Sequence, residues 1–218
     1  ELFVDSLNFA TAETDPDKLL SCRVIGDRLW LMGEGTTEVW YATADADTPF
    51  ARVQGSIFRL GMLEGSDVVI ENSLIMADRN NRVIQFNGST NSVLSDNSIS
   101  ERIRKFQGKA FVNDLENLIS TWSFELDGHL FYVLNLVLDE TLVYDVTTKQ
   151  WVTWFNLDET FLTQHAGILF GGSNDGDVYL VGDAVSGCIW EVDTDYRFDD
   201  LAGSDEFSPF FCMVTGGI

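Results

Sequence analysis

Lysine, histidine, proline and cysteine are all scarce in this chain of 218 residues, which holds 2 histidines, 3 prolines, 3 cysteines and only 4 lysines among its 13 basic residues. Each scarcity closes a class of function. Two histidines, His129 and His165, and no CxxC pair fall short of the several ligands at fixed spacing that a zinc site requires. Nucleophilic hydrolysis needs a serine or cysteine beside a histidine base, yet the serine of FGGSNDG lacks the GxSxG spacing that exposes a nucleophile. No GxxxxGK loop is present to cradle a phosphate. Cys22, Cys188 and Cys212 are odd in number, so we read them as small buried hydrophobes in a reducing assembly compartment. No run approaches the length of an apolar membrane span, and no membrane contact is expected.

The missing bases leave a large acidic excess. Against the 13 bases stand 35 acids, a formal net charge of −22, and 22 of the acids are aspartate. Such a surface repels nucleic acid. A salty habitat, in which screening removes self-repulsion, would favour this balance. So would a wall past which a polyanion must slide, because each avoided base removes a counterion-release contact with phosphate. Simple solubility with aspartate-rich turns accounts for it equally well.

What the chain does have is a phrase that returns four times: a short apolar strand, a polar turn, and a second strand ending in an aromatic or aliphatic pair. The copies begin at Asp27 (DRLWLMGEGTTEVWY), Glu71 (ENSLIMADRNNRVIQF), Asp127 (DGHLFYVLNLVLDETLVYD) and Asp175 (DGDVYLVGDAVSGCIWEVD). Their leading residues Leu29, Leu74, Leu130 and Val178 are spaced as propeller blades are, roughly 45 to 55 positions apart. One hairpin cannot bury its own apolar face, so neighbouring copies must supply the missing layer. Aromatics at 12% suit strands joined by Gly, Asn and Asp turns. The fold expected is all-β, a β-propeller of repeated antiparallel hairpins, complete or incomplete, occupying residues 1–218.

Between the copies the pattern varies. Residues 1–21 read as an acidic connecting segment, and ATADADTPFARVQGSIFRLGMLEGSDVVI reads as an outer strand or crossing loop. Residues 95–120 read as a helical insertion with a short helix near 98–106. Ser98 is its expected cap and Glu101 the capping-box partner, with Ile99, Ile103 and Phe106 on one face. Arg102, Arg104 and Lys105 on the remaining surface are the one basic concentration, a candidate partner-contact patch or a plain solvated face. The chain opens at Glu1 and stops on MVTGGI, so it is expected to be a processed or partial piece of something longer.

Candidate chemistry is thin. His129 follows a turn and His165 precedes AGILFGG; either could act as a base or ligand, but a lone histidine beside an apolar strand is more often structural. The pairs Asp45 with Asp47, Asp175 with Asp177 and Asp193 with Asp195 invite calcium, yet none has the DxDxDG loop and distal Glu, so turn chemistry is the better reading. No catalytic residue, metal or cofactor is assigned.

The phrases RLWLMGEGTTEVWY, TPFARVQGSIFRLGMLEGSDVVIENSLIMADRNNRVIQFNGS and SISERI, taken in order, resemble the packaged-DNA stabilisation family of short-tailed bacteriophages, whose members form the tail hub or nozzle below the portal. LDGHLFYVLNLVLDETLVYDVTTKQWVTW resembles that family's strand pair with an Asp-Gly-His turn, and VGDAVSGCIWEVD its Gly-Asp, Ser-Gly ending. The resemblance runs from about Val24 onward. Positions matching its structural motifs are Trp30, Trp40, Asp127, Gly128, His129, Tyr144, Asp145, Trp151, Gly182, Asp183 and Gly187. In WVTW, Val152 stands where the family often has a histidine.

The resemblance implies a non-enzymatic structural protein of the virion tail, assembled in the host cytoplasm. It implies a cyclic ring, usually a hexamer, closed by head-to-tail interfaces. Portal or adaptor subunits would lie above, a needle below, and fibres or tailspikes beside it, with DNA passing through the channel without specific binding. Two other readings compete. A carbohydrate-binding or glycan-processing propeller could use Trp30, Trp40, Trp122, Trp151, Trp154 and Trp190 as sugar platforms, although inter-blade packing is the commoner role for tryptophans at strand ends. An adhesion module of a salt-adapted microbe would share the composition.

Overall fold

A computed structural model describes residues 17–45, 49–112, 119–126, 128–137 and 139–158, together with six later strands; for 110–112 and from 155 onward the description is of backbone alone. The chain divides into two compact units, Glu1–Asp96 and Asn97–Ile218.

The first unit holds two four-stranded antiparallel meanders. One comprises β1 (Leu19–Ile25), β2 (Arg28–Gly33), β3 (Thr37–Ala42) and β4 (Phe50–Phe58) in sequential order. The other comprises β5 (Val68–Ile70), β6 (Ser73–Ala77), β7 (Val83–Asn87) and β8 (Thr90–Val93). Period-two alternation decides which side chains meet. Arg23, Trp30 and Val39 are cross-strand neighbours on one face of the first sheet. Trp30, Met32 and Val39 are buried in one cluster with Leu74, Met76, Ile84 and Phe86 of the second sheet. Trp30 and Phe58 stack at 6.2 Å, and Phe86 meets them edge-on at 5.6 and 5.1 Å. Burying one such ring contributes roughly 1.5–3 kcal/mol, and each edge-on pair adds about 0.5–1.5 kcal/mol.

The second unit opens with α1 (Asn97–Val112) and a third meander of β9 (Ile119–Leu126), β10 (His129–Leu136), β11 (Glu140–Asp145) and β12 (Gln150–Asp158). Strands β13 (Phe161–Gln164) and β18 (Phe207–Met213) pair with β12, and β17 (Phe198–Asp200) pairs with β18. β14 (Gly167–Gly172), β15 (Tyr179–Asp183) and β16 (Ile189–Val192) form a separate sheet. Trp122, Phe124, Val133, Val143 and Trp154 cluster on one face of the third meander.

All four copies of the sequence repeat are antiparallel pairs: β2–β3, β6–β7, β10–β11 and β15–β16. The first three are the central pairs of their meanders. The stretch read as an outer strand or crossing contains β4, paired with β3, and ends on β5.

Three expectations are corrected. The helix runs from Asn97 to Val112, not 98 to 106. The helix continues through Gly108, which costs about 1 kcal/mol relative to alanine, and Lys109 beyond it pairs with Asp139 at 2.8 Å. Ser98 therefore lies inside the first turn, and Glu101 bonds Arg104 instead of reaching back to a cap. Cys22 is exposed, because β1 is a sheet edge and Cys22 is registered with Leu31 and Glu38, on the face opposite the Trp30 row. Cys188 lies outside the described residues, and Cys212 is paired through its backbone with Trp154.

The segment after β4 joins the two sheets of the first unit. The Met62 N–H donates to the Gly33 carbonyl at 2.9 Å, the Leu63 N–H to Ala77 at 2.9 Å, and the Arg79 N–H to Gly61 at 3.0 Å. This seam brings Gly61 against the β2–β3 turn, where a Cβ would stand 1.7 Å from the Glu34 carbonyl oxygen. Gly61→Ala should lower the unfolding free energy by about 3 kcal/mol. Gly108→Ala, whose Cβ enters open space on α1, should raise it by about 0.5–1 kcal/mol. Denaturant titration of both variants checks the opposite signs; a neutral Gly61→Ala would show that the seam yields.

Candidate interaction site: buried carboxylates and the basic helix

Among the described residues the first unit buries three acids, and each is matched by an arginine. Asp67, just before β5, receives the Ser21 hydroxyl at 2.9 Å and Arg23 Nε at 2.6 Å from β1 of the other sheet. Asp78 ends β6 and is 1% exposed. Its carboxylate accepts from the Asn80 and Arg82 N–H groups at 3.0 and 2.8 Å and from the Arg82 guanidinium at 3.0 and 2.6 Å. Glu38 on β3 accepts from Trp40 Nε1 at 3.0 Å and pairs with Arg52 at 3.6 Å. A carboxylate leaves water only when its lone pairs are met, and a planar guanidinium meets two at once.

In the second unit the same role falls to a histidine. Asp145 closes β11 and is 8% exposed. One oxygen accepts the Thr147 and Thr148 N–H groups at 2.8 and 3.0 Å; the other lies 2.7 Å from both the Thr148 hydroxyl and His129 Nδ1. An ionised carboxylate only accepts, so His129 carries its proton on Nδ1. Burial opposes ionisation of Asp145, but the hydrogen bonds from Thr148, His129 and Thr147 outweigh it and hold the carboxyl below its ordinary value. The adjacent Tyr144 hydroxyl is pushed up by burial and by the charge of Asp145.

Helix α1 is fastened to this third meander by its bases. Arg102 forks onto Glu140 at 2.9 and 2.5 Å and also donates to the Thr153 hydroxyl at 2.8 Å. Lys109 pairs with Asp139. Ile99, Ile103 and Phe106 are buried, whereas Arg104 pairs with Glu101 at the exposed surface.

The sequence-marked positions therefore fall into groups. Gly128, His129, Tyr144, Asp145 and Trp151 come together at one end of β10–β12. Gly128 takes φ 78° in the turn before His129, a conformation that suits glycine. Tyr144 and Trp151 are cross-strand neighbours with rings 5.0 Å apart. Trp30 is buried in the first unit and Trp40 is tied to Glu38. Gly182 and Asp183 lie in β15, paired with Ile189 and Gly167. Asp127, Gly187, His165, Asp47, Asp175, Asp177, Asp193 and Asp195 lie outside the described residues.

Residues 1–197 match the family model described as bacteriophage P22 Gp10, beta-propeller. The chain belongs to this family. Membership makes it a β-propeller structural component of a bacteriophage particle, of the kind that stabilises packaged DNA. No curated protein matches the chain.

Within that family frame the arginines stand out. Arg23, Arg28, Arg52, Arg79, Arg82, Arg102 and Arg104 all form ion pairs inside the chain. Sequence reasoning missed Glu38, Asp67, Asp78, Asp139 and Glu140 as anchors. The i,i+4 spacing of Asp78 and Arg82 was a readable signal; the 44-residue separation of Arg23 and Asp67 carries none.

Two predictions follow from these anchors. Because the folded-state pKa of Asp145 is depressed, its contribution is present above the unfolded value near 3.8 and is lost as pH falls through the folded one. Wild type should therefore lose stability as pH falls below the unfolded value near 3.8, and Asp145→Asn should flatten that slope while costing about 2 kcal/mol at neutral pH. Thermal melts across pH decide it; an unchanged slope would remove Asp145 as the cause. Arg102→Met strands the half-buried Glu140 and should cost about 1–3 kcal/mol, read by faster amide exchange along α1.

Proposed function

We propose that the protein is a tail hub or nozzle subunit. It would form part of the axial DNA channel below the portal, stabilise the packaged DNA and connect the head to other tail parts. The role is structural, not enzymatic. Its subunits close a ring, six copies by analogy with the resembled family. Portal or adaptor proteins would sit above, a needle below, and fibres or tailspikes at the side, with assembly in the host cytoplasm.

Family membership makes the chain a phage structural protein; the observation that carries the channel reading is the commitment of its cations. A conduit must let a polyanion pass without holding it. Affinity for duplex DNA comes mainly from lysines and arginines that release counterions, and it grows with each phosphate they neutralise. Here four arginines, Arg23, Arg52, Arg82 and Arg102, already face buried or half-buried carboxylates of the same chain. The remaining charge is overwhelmingly acidic, within a total of −22. The wall is therefore repulsive to phosphate without being unstable, since the buried acids are neutralised locally.

Support for the glycan reading is weaker. Trp30, Trp122 and Trp154 are buried, and Trp151 packs on Tyr144 and Tyr132, so four of the proposed platforms serve the interior.

Imaging of intact particles should show the protein as a ring on the tail axis around the DNA path. In solution, fluorescence anisotropy with a labelled duplex at about 150 mM salt should show no binding below the weakest non-specific range, about 10⁻⁴ M. Micromolar, salt-sensitive binding, or a position away from the tail axis, would overturn the channel role.

A further inference from the structure

Charge is unevenly divided along the chain. Residues 97–112, the helix α1, hold four bases (Arg102, Arg104, Lys105, Lys109) and one acid, Glu101. Residues 113–218 hold 19 acids and 2 bases, a net of −17. A cationic helix thus precedes a strongly anionic remainder of the same unit.

The structure sorts the four bases by direction. Arg102 and Lys109, seven residues apart and so on one side of the helix, are held by Glu140 and Asp139 of the third meander. Ile99, Ile103 and Phe106 are buried on the inward face. Arg104, Lys105 and Gly108 are exposed on the remaining side. Lys105 makes no ion pair with any described residue, and the partner of Arg104, Glu101, is on the same helix and itself solvent-accessible. An i,i+3 pair of this kind is weak and is readily exchanged for a better-placed acid. Anchoring by Arg102 fixes the orientation of the helix, so the outward bases are presented in one geometry.

We propose that the outward face of α1, carried by Arg104 and Lys105, is a docking surface for the acid-rich part, residues 113–218, of a second copy of this chain. The argument is charge complementarity. A surface of net −22 repels its own kind everywhere except where a cationic patch meets the anionic part, so this contact selects a head-to-tail orientation and disfavours the others. Duplex DNA is disfavoured as the occupant, because two exposed cations beside an anionic unit release too few counterions to hold it. The inference rests on the ring reading above and names the contact that would order the copies.

Sedimentation velocity of the 218-residue chain tests it, at about 50 mM and about 1 M NaCl, where charges act beyond 10 Å and over about 3 Å respectively. Wild type should associate at low salt and dissociate at high salt. Arg104→Glu with Lys105→Glu should weaken low-salt association about tenfold or more, whereas Arg104→Lys with Lys105→Arg should leave it intact. Both pairs are exposed, and circular dichroism confirms that each variant is folded. Assembly of the charge-reversed variant at wild-type strength would remove α1 from the contact and leave the ring reading standing. A wild type monomeric at both salts would remove both. Low-salt binding of a labelled duplex by wild type, lost on charge reversal, would reassign the face to phosphate and overturn the proposal.

Discussion

A four-stranded sheet has two faces and can cover neither, and the first unit shows how that constraint is met. Trp30, Phe58 and Phe86 interlock between the β1–β4 and β5–β8 meanders, and the aliphatic residues around them complete a shared layer. Everything else in the unit serves that layer. The linking segment is pressed into a seam so tight that only glycine fits at position 61, because the sheets must approach closely for their side chains to interdigitate. Asp67 reaches across to Ser21 and Arg23 for the same reason: once the layer forms, the polar rim around it is shielded and must be satisfied.

The charge distribution has a second logic. A chain with 35 acids cannot place all of them in water, because the turns that join short strands need aspartates whose oxygens point inward. Asp78 and Asp145 are such residues, and each organises the turn that follows it by accepting backbone N–H groups. Arginine, with its planar fork, neutralises the first, and histidine donates a hydrogen bond to the second. The acids of these pairs are drawn into the fold, while Arg23, Arg52 and Arg82 stay partly exposed at its rim.

Much of this was legible in the chain. The recurring phrases at Asp27, Glu71, Asp127 and Asp175 mark hairpins in all four sheets, because strand alternation and turn chemistry are local properties read within a dozen residues. The grouping of His129, Tyr144, Asp145 and Trp151 was foreshadowed by the strand pair that contains them. The helix was placed correctly but cut short. The expected apolar face was read only as far as Phe106, and beyond it Lys109 pairs with Asp139, a contact with no local trace.

Composition and periodicity by themselves determined a β-rich repeat and a heavy acidic excess, since these depend on residue type and short-range spacing. Tertiary structure alone decided which acids are buried, which arginine meets each one and which face of α1 is left outward. Those outcomes depend on sheets meeting across separations such as the 44 residues from Arg23 to Asp67. Charge pairing at that distance along the chain leaves no pattern in sequence, because the energy that selects the partner arises only after the apolar layer has brought the two side chains together.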